Sequence, residues 1–150
     1  MDRIDRNILL ALQERGRLTL AEIADRVRLS VSSSHRRLRA LETSGAITGY
    51  RAVIDPSAVG LDFEALVFVT MRSGEKATLT AFEAGVAELP DVVSAQRLFG
   101  EPDYLLRILV ADLAAFQKLY DEHLAGLPGV GNLRSTLVMR TVVEDRGVPL

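Results

Sequence analysis

Apolar residues recur through the first sixty positions at the spacing of one helical face. Ile4, Ile8, Leu9 and Leu12 share a face, and Gly16 follows it. Leu20, Ile23, Ala24 and Val27 form a second stripe. It opens at Thr19 with Glu22 three residues on, a reciprocal capping pattern. After the short turn Arg28-Leu29, Ser30 is a good N-cap for a third helix. Its inward positions are Ser34, Leu38 and Leu41, and Gly45 stands where a C-terminal cap belongs. Ile47 and Tyr50 to Ile54 then suggest a short extended strand, and Asp55-Pro56 a turn into a linker.

The later pattern alternates strands and helices. Residues 65–72, 92–99, 104–111 and 132–143 read as strands. Leu79, Phe82, Val86 and Leu89 give one helix between them, and Phe116, Leu119, Tyr120, Leu124 and Leu127 a second. Each helix runs into a related hexapeptide, "AELPDV" at 87–92 and "AGLPGV" at 125–130. The order β-α-β-β-α-β with a repeated junction is a ferredoxin-like split βαβ. The expected class is therefore α+β: a helix-turn-helix domain over 1–54, a linker over 55–62, and a ferredoxin-like domain over 63–150. "ALVFVTM" and "YLLRILVA" are apolar at nearly every position. Two helices cover only one face of a four-stranded sheet, so the other face is expected to be a large apolar patch. Such a patch calls for a second copy of the chain, unless the linker covers it.

Charge sharpens the picture for the first domain. Residues 1–60 hold ten arginines against seven carboxylates, or +3, while 61–150 hold eight cations against thirteen carboxylates, or −5. From Arg26 to Leu41 there are five arginines and no acid. On the third helix, Ser32, His35, Arg36 and Arg39 point away from the inward positions, and Ser33 and Arg37 lie on a flank. Two capped helices joined by a tight turn, the second presenting hydroxyls and then cations, fit the major groove of double-stranded DNA. A solvated basic face is the plainer alternative.

Candidate chemistry is sparse. There is no cysteine, hence no disulfide framework and no thiolate metal site. His35 and His123 have no second ligand at helical spacing, and no catalytic constellation or phosphate-binding glycine motif emerges. No metal, cofactor or catalytic residue is therefore expected. In "FGEPDYLL", 99–106, Asp103 with Glu101 nearby could offer a carboxylate to a ligand amine, or could simply serve a hairpin turn. No apolar run reaches the roughly 20 residues of a membrane span. No signal segment is visible, so the cytoplasm is the expected location.

Several motifs, in order, resemble the leucine-responsive regulator/AsnC (Lrp/AsnC) family of prokaryotic transcription regulators over nearly the whole chain. "MDRIDRNIL" is similar to the family's LDxxDxxIL. Ser30 followed by "RLRALETSGAITGY" is similar to its recognition-helix pattern. "LPGV" at 127–130 and "GEPDYLL" at 100–106 match two further motifs. The resemblance implies a winged helix-turn-helix, a βαββαβ effector domain, and homodimers assembling into tetramers or octamers. It also implies an amino-acid effector held between dimers, with no other cofactor. By position, Ser32, Ser33, His35, Arg36 and Arg39 would face DNA, with Arg28, Ser30 and Arg37 beside them. Phe99, Gly100, Asp103 and Tyr104 would line the effector site, with Thr136 on the last strand. The family often has glycine where Arg28 stands. A left-handed backbone there would strain an arginine, which also adds a cation near the phosphates.

Three rival functions differ in kind. A ferredoxin-like enzyme lacks the expected His or Cys chemistry. An RNA-recognition module needs stacking aromatics on its third strand, where this chain is aliphatic after Tyr104. A small-molecule sensor without specific DNA binding leaves the basic helix face unexplained. The operator, the regulated genes, the sign of regulation and the effector are not legible in the residues.

Overall fold

The computed structural model describes residues 1–143 and 146–150. They fall into two compact units, Met1–Val53 with Val142–Leu150, and Ile54–Thr141. The division falls between Val53 and Ile54, just ahead of Asp55-Pro56. Residues 142–143 and 146–150 cluster with the N-terminal unit rather than with the strand they follow.

The first unit contains α1 (Arg3–Glu14), α2 (Leu20–Val27) and α3 (Val31–Thr43). Ile8, Ile23 and Leu41 form its buried centre, with Ile4, Leu9, Leu12, Val27, Leu38 and Ile47 packed around it. The helices start where local chemistry dictates. Asp2 and Asp5 cap α1 reciprocally, each amide donating to the other's carboxylate at 3.1 and 2.9 Å. Thr19 and Glu22 do the same for α2. Gly45, at φ 75°, follows the C-cap of α3, and the Ile47 amide returns to the Leu41 carbonyl at 3.1 Å. The expected strand over 50–54 is absent: 48–55 carry no ladder, because no strand among the described residues lies alongside to pair with them.

The second unit opens with a short 3-10 turn at Pro56–Val59. Its elements are β1 (Phe63–Met71), α4 (Lys76–Ala87), β2 (Val92–Arg97), β3 (Tyr104–Val110), α5 (Leu113–Glu122) and β4 (Val130–Leu137). The sheet order is β2-β3-β1-β4, antiparallel throughout, as the split βαβ pattern requires. β2 and β4 end earlier than expected, at Arg97 and Leu137. Both hexapeptide junctions close alike, with the Val92 amide donating to Leu89 and the Val130 amide to Leu127. Gly129 adopts φ +74° at the second junction, and a Cβ there would strike Thr78.

Ala65, Val67, Val69, Leu106 and Ile108 point under α4 and α5, which contribute Leu79, Phe82, Val86, Phe116 and Leu119. On this strand register, Glu64, Leu66, Phe68 and Thr70 occupy the opposite face with Leu105, Arg107, Leu109, Asn132, Arg134 and Thr136. That face corrects the expectation of a large apolar patch. Leu66, Phe68, Leu105 and Leu109 make only a central stripe. Glu64 accepts from Arg107 Nε at 2.6 Å, and the Arg134 guanidinium sits 4.8 Å over the Phe68 ring. Alternation was hidden because the outward positions in the middle of both strands are apolar too.

Candidate functional site

The turn between α2 and α3 fixes how the third helix is presented. Arg28 closes α2 in the left-handed region at φ 55°, ψ 48°, alone among the described non-glycine residues in having positive φ. The Leu29 amide can then reach back to the Ala24 carbonyl at 3.0 Å, and the chain reverses into the Ser30 cap. Ser30 Oγ accepts from the Ser33 amide, donates to Ser33 Oγ at 2.9 Å and lies 3.1 Å from Ser32 Oγ. Three hydroxyls thus gather at the N-terminal end of α3, where helix amides favour an anion.

Ser32, His35, Arg36 and Arg39 are exposed along α3, while Ser34 and Leu41 are buried, so the face is oriented as the spacing predicts. Of the five arginines from 26 to 39, two are committed internally. Arg26 pairs with Glu14 at 3.3 Å. Arg37 donates to Asp2 Oδ2 at 2.8 Å and Asp5 Oδ1 at 2.7 Å, with its side chain only 26% exposed. This corrects the expectation for Arg37. It clamps α3 to the start of α1, and its partners are the two aspartates of the "MDRID" motif. Hydrogen bonds from Asp5 first, then Asp2, raise the Arg37 pKa. The Asp5 amide, with Arg37 adding to it, holds the Asp2 carboxyl below its usual range. Among the described residues, Arg28, Arg36 and Arg39 make no ion pair or hydrogen bond. Three cations and a hydroxyl cluster are left facing outward.

Tyr50 explains the end of the same motif. Its hydroxyl donates to Glu42 Oε1 at 3.0 Å, tying the segment after α3 back onto the helix. Burial and then Glu42 raise its pKa.

In the second unit the five effector candidates separate. Phe99 is fully exposed and Gly100 has φ 126°, both in the hairpin between β2 and β3. Asp103 is a brace: its Oδ2 accepts from the Met71 amide at 2.7 Å, and its own amide donates to the Val69 carbonyl at 2.9 Å. The expected ligand-facing carboxylate therefore has one oxygen committed to the end of β1. Tyr104 faces inward. It is 3% exposed, stacks 4.7 Å from Phe82, and donates its hydroxyl to Glu83 Oε1 at 2.8 Å. Burial, with Glu83 second, pushes its pKa up to about 12. It lies on the helix-covered face, whereas Thr136 lies on the open one, opposite Leu66.

The open face holds a cleft of about 290 Å³ lined by Phe68, Thr70, Glu101, Pro102, Asn132 and Arg134. It brings the hairpin's Glu101 and Pro102 beside β4, two residues short of Thr136. A cation, an anion and two apolar surfaces meet in a space at the small end of ligand pockets, which run from about 300 Å³ upward. The sequence reading missed Arg134, Asn132, Thr70 and Phe68. The signal was the period-2 spacing of 132, 134 and 136. Among the described residues, no group of three His, Asp or Glu side chains could hold a metal ion. No described helix is long and apolar enough to cross a membrane.

Comparison with known proteins agrees with this geometry. Residues 1–48 match the winged helix-turn-helix DNA-binding family model, and residues 64–148 match the Lrp/AsnC ligand binding domain. The leucine-responsive regulatory protein of Rhizobium meliloti (strain 1021) is 40% identical over 144 residues, spanning 96% of this chain and 92% of that protein. Its Escherichia coli (strain K12) counterpart is 37% identical, over 97% of this chain and 88% of its own length. A transcriptional regulator from Neisseria meningitidis, solved as a complex with L-Met, superposes with a TM-score of 0.95 at 36% identity, covering 99% of this chain and 96% of its own. With a family model matched over each unit and relatives 37–40% identical over nearly the whole length, the chain belongs to the Lrp/AsnC family of DNA-binding transcriptional regulators.

Proposed function

We propose that this chain reads double-stranded DNA through Arg28, Arg36, Arg39 and the Ser30–Ser32–Ser33 hydroxyls, and that an amino acid in the cleft beside the 99–103 hairpin modulates the reading. One observation carries the first half: Arg36 and Arg39, without partners among the described residues, lie on the outward surface of a capped helix with no carboxylate from Val31 to Leu41, and Arg28, likewise unpaired, stands in the turn before it. Ser32 and His35 sit among them and reach the groove floor. A homodimer sets two such helices in successive major grooves, about 34 Å apart. The half-buried Leu66, Phe68 and Leu105, with the buried Leu109 at the end of their stripe, form the surface on which the second copy docks, with tetramers or octamers built from that pair.

The chemistry of the cleft supports the second half. Arg134 suits an α-carboxylate, Glu101 an α-ammonium, and Phe68 with Pro102 an uncharged side chain. The Neisseria neighbour's complex with L-Met supports an amino acid as the effector. Phe99 and Thr136 border this site. The relatives are transcriptional regulators rather than enzymes. We read this chain likewise as a non-catalytic regulator acting in the cytoplasm, where its DNA is.

Salt-dependent binding tests the DNA face. Removing one phosphate contact flattens the slope of log affinity against log salt by about one unit. Arg36→Ala should show that loss across all sequences, and an unchanged slope removes Arg36 from the interface. For the cleft, thermal shift against the twenty amino acids should single out a few, and Arg134→Gln should abolish the response. A response that survives Arg134→Gln moves the effector elsewhere.

A further inference from the structure

The first unit has a feature that DNA reading does not use. Leu9, Leu12, Gln13 and Gly16 of α1 and its exit face residues 46–51, and between them lies a groove of about 300 Å³. Val148 and Leu150 supply its remaining wall. The tail is held in register there: Gln13 Nε2 donates to the Val148 carbonyl at 3.2 Å. Gly147 lies so close that a Cβ on it would sit 3.0 Å from Gln13 Cβ. The groove is mainly aliphatic, from Leu9, Leu12 and Ile47, with Tyr50 at one end, and the tail Gly-Val-Pro-Leu is complementary to it.

We propose that the surface of α1 and residues 46–51 bounding this groove is a peptide-docking surface for the chain's own segment 147–150, and that the docked tail is a reversible latch on the DNA-reading unit. Seating is shallow. Val148 stays 66% exposed and Leu150 43% exposed, and the Gln13–Val148 hydrogen bond sets the register. A contact of this size opens and recloses rather than locking. Its target matters more than its strength. Residues 46–51 are the exit of α3, anchored by the Ile47 amide on Leu41 and by Tyr50 on Glu42. With the tail in place, that exit is buttressed against α1, and the arginines one to three turns upstream keep their aim. With the tail gone, the exit frays and the helix loses its backing. The inference rests on α3 as the reading helix for its binding readout only, because the seating itself can be measured without DNA.

The experiment uses the full chain with a stop codon after Arg146, and separately Gln13→Ala and Gly147→Val. Amide hydrogen exchange is followed in 46–51, with β1 and β3 amides as internal reference, and DNA affinity by fluorescence anisotropy. All three variants should speed exchange of the Ile47 amide, the truncation by about tenfold, with the sheet unchanged. DNA affinity of the truncated chain should fall several-fold, and the peptide Arg-Gly-Val-Pro-Leu at millimolar concentration should restore the slow exchange. Unchanged exchange at Ile47 after truncation shows that the tail is not seated and overturns the proposal. Accelerated exchange with unaltered DNA affinity overturns the latch. Protection at Ile47 that varies with protein concentration assigns the groove to the tail of a second copy and overturns docking in cis.

Discussion

Replacing Arg28 by glycine should move stability and DNA binding in opposite directions. Arg28 holds φ 55°, ψ 48°, where the Cβ of an L-residue crowds the following carbonyl. That conformation costs about 1–2 kcal/mol for a non-glycine residue. Glycine removes the clash but adds unfolded-state freedom worth roughly 0.5–1 kcal/mol. The net expectation for Arg28→Gly is a gain of about 0.5–1 kcal/mol, or roughly 2–6 °C in the melting of a unit this small. The same substitution deletes an exposed guanidinium one turn from the Ser30 cap. The salt slope of DNA binding should therefore flatten by about one unit. Calorimetry and anisotropy between 50 and 200 mM salt, roughly the range over which such contacts are read, measure both on one preparation. Arg28→Lys is the control, keeping both strain and charge, so neither quantity should move much. A glycine variant that melts lower refutes the strain argument. One that binds with an unaltered slope refutes the placement of Arg28 beside phosphate. The two failures are independent.

Two further expectations concern α3. Ser34 is fully buried, and its hydroxyl has no hydrogen-bond partner among the described residues. Stranding such a group costs about 1–3 kcal/mol, so Ser34→Ala should melt higher, and a lower melting temperature would point to a hidden partner. Arg37→Ala should lower the melting temperature yet leave the salt slope unchanged, the reverse of Arg36→Ala. The Asp2 carboxyl is depressed, so its contribution is present above the usual carboxylate range and lost as pH falls below it. Melting curves of wild type and Arg37→Ala should therefore draw together as pH falls below the usual carboxylate range, and a gap that stays constant would separate the clamp from Asp2.

What the sequence revealed and what it withheld divide by distance along the chain. The Thr19–Glu22 box, the Ser30 cap and the Gly45 stop are set by groups three or four residues apart, so spacing alone finds them. The outward face of α3 is equally local. Arg37 looked like another DNA contact because its partners are 32 and 35 residues away. Asp103 and Tyr104 looked like pocket residues because the Met71 amide and Glu83 that occupy them lie 32 and 21 residues off. Strand alternation identifies the open sheet face only once register is known, since Leu66 and Phe68 are as apolar as Val67 and Val69. Arg134 became a cleft residue only when the hairpin and β4 were brought together.

A farther pairing joins Gln13 to Val148. It makes the N-terminal unit discontinuous, with one component supplied by residues that follow the whole of the second unit. The ribosome releases α1, α2 and α3 early, and domains generally fold as they emerge. Here the three helices can assemble during synthesis, but residues 146–150 join them only after every strand of the second unit has been made. A nascent chain stopped within the second unit thus carries a first unit that is folded yet unfinished.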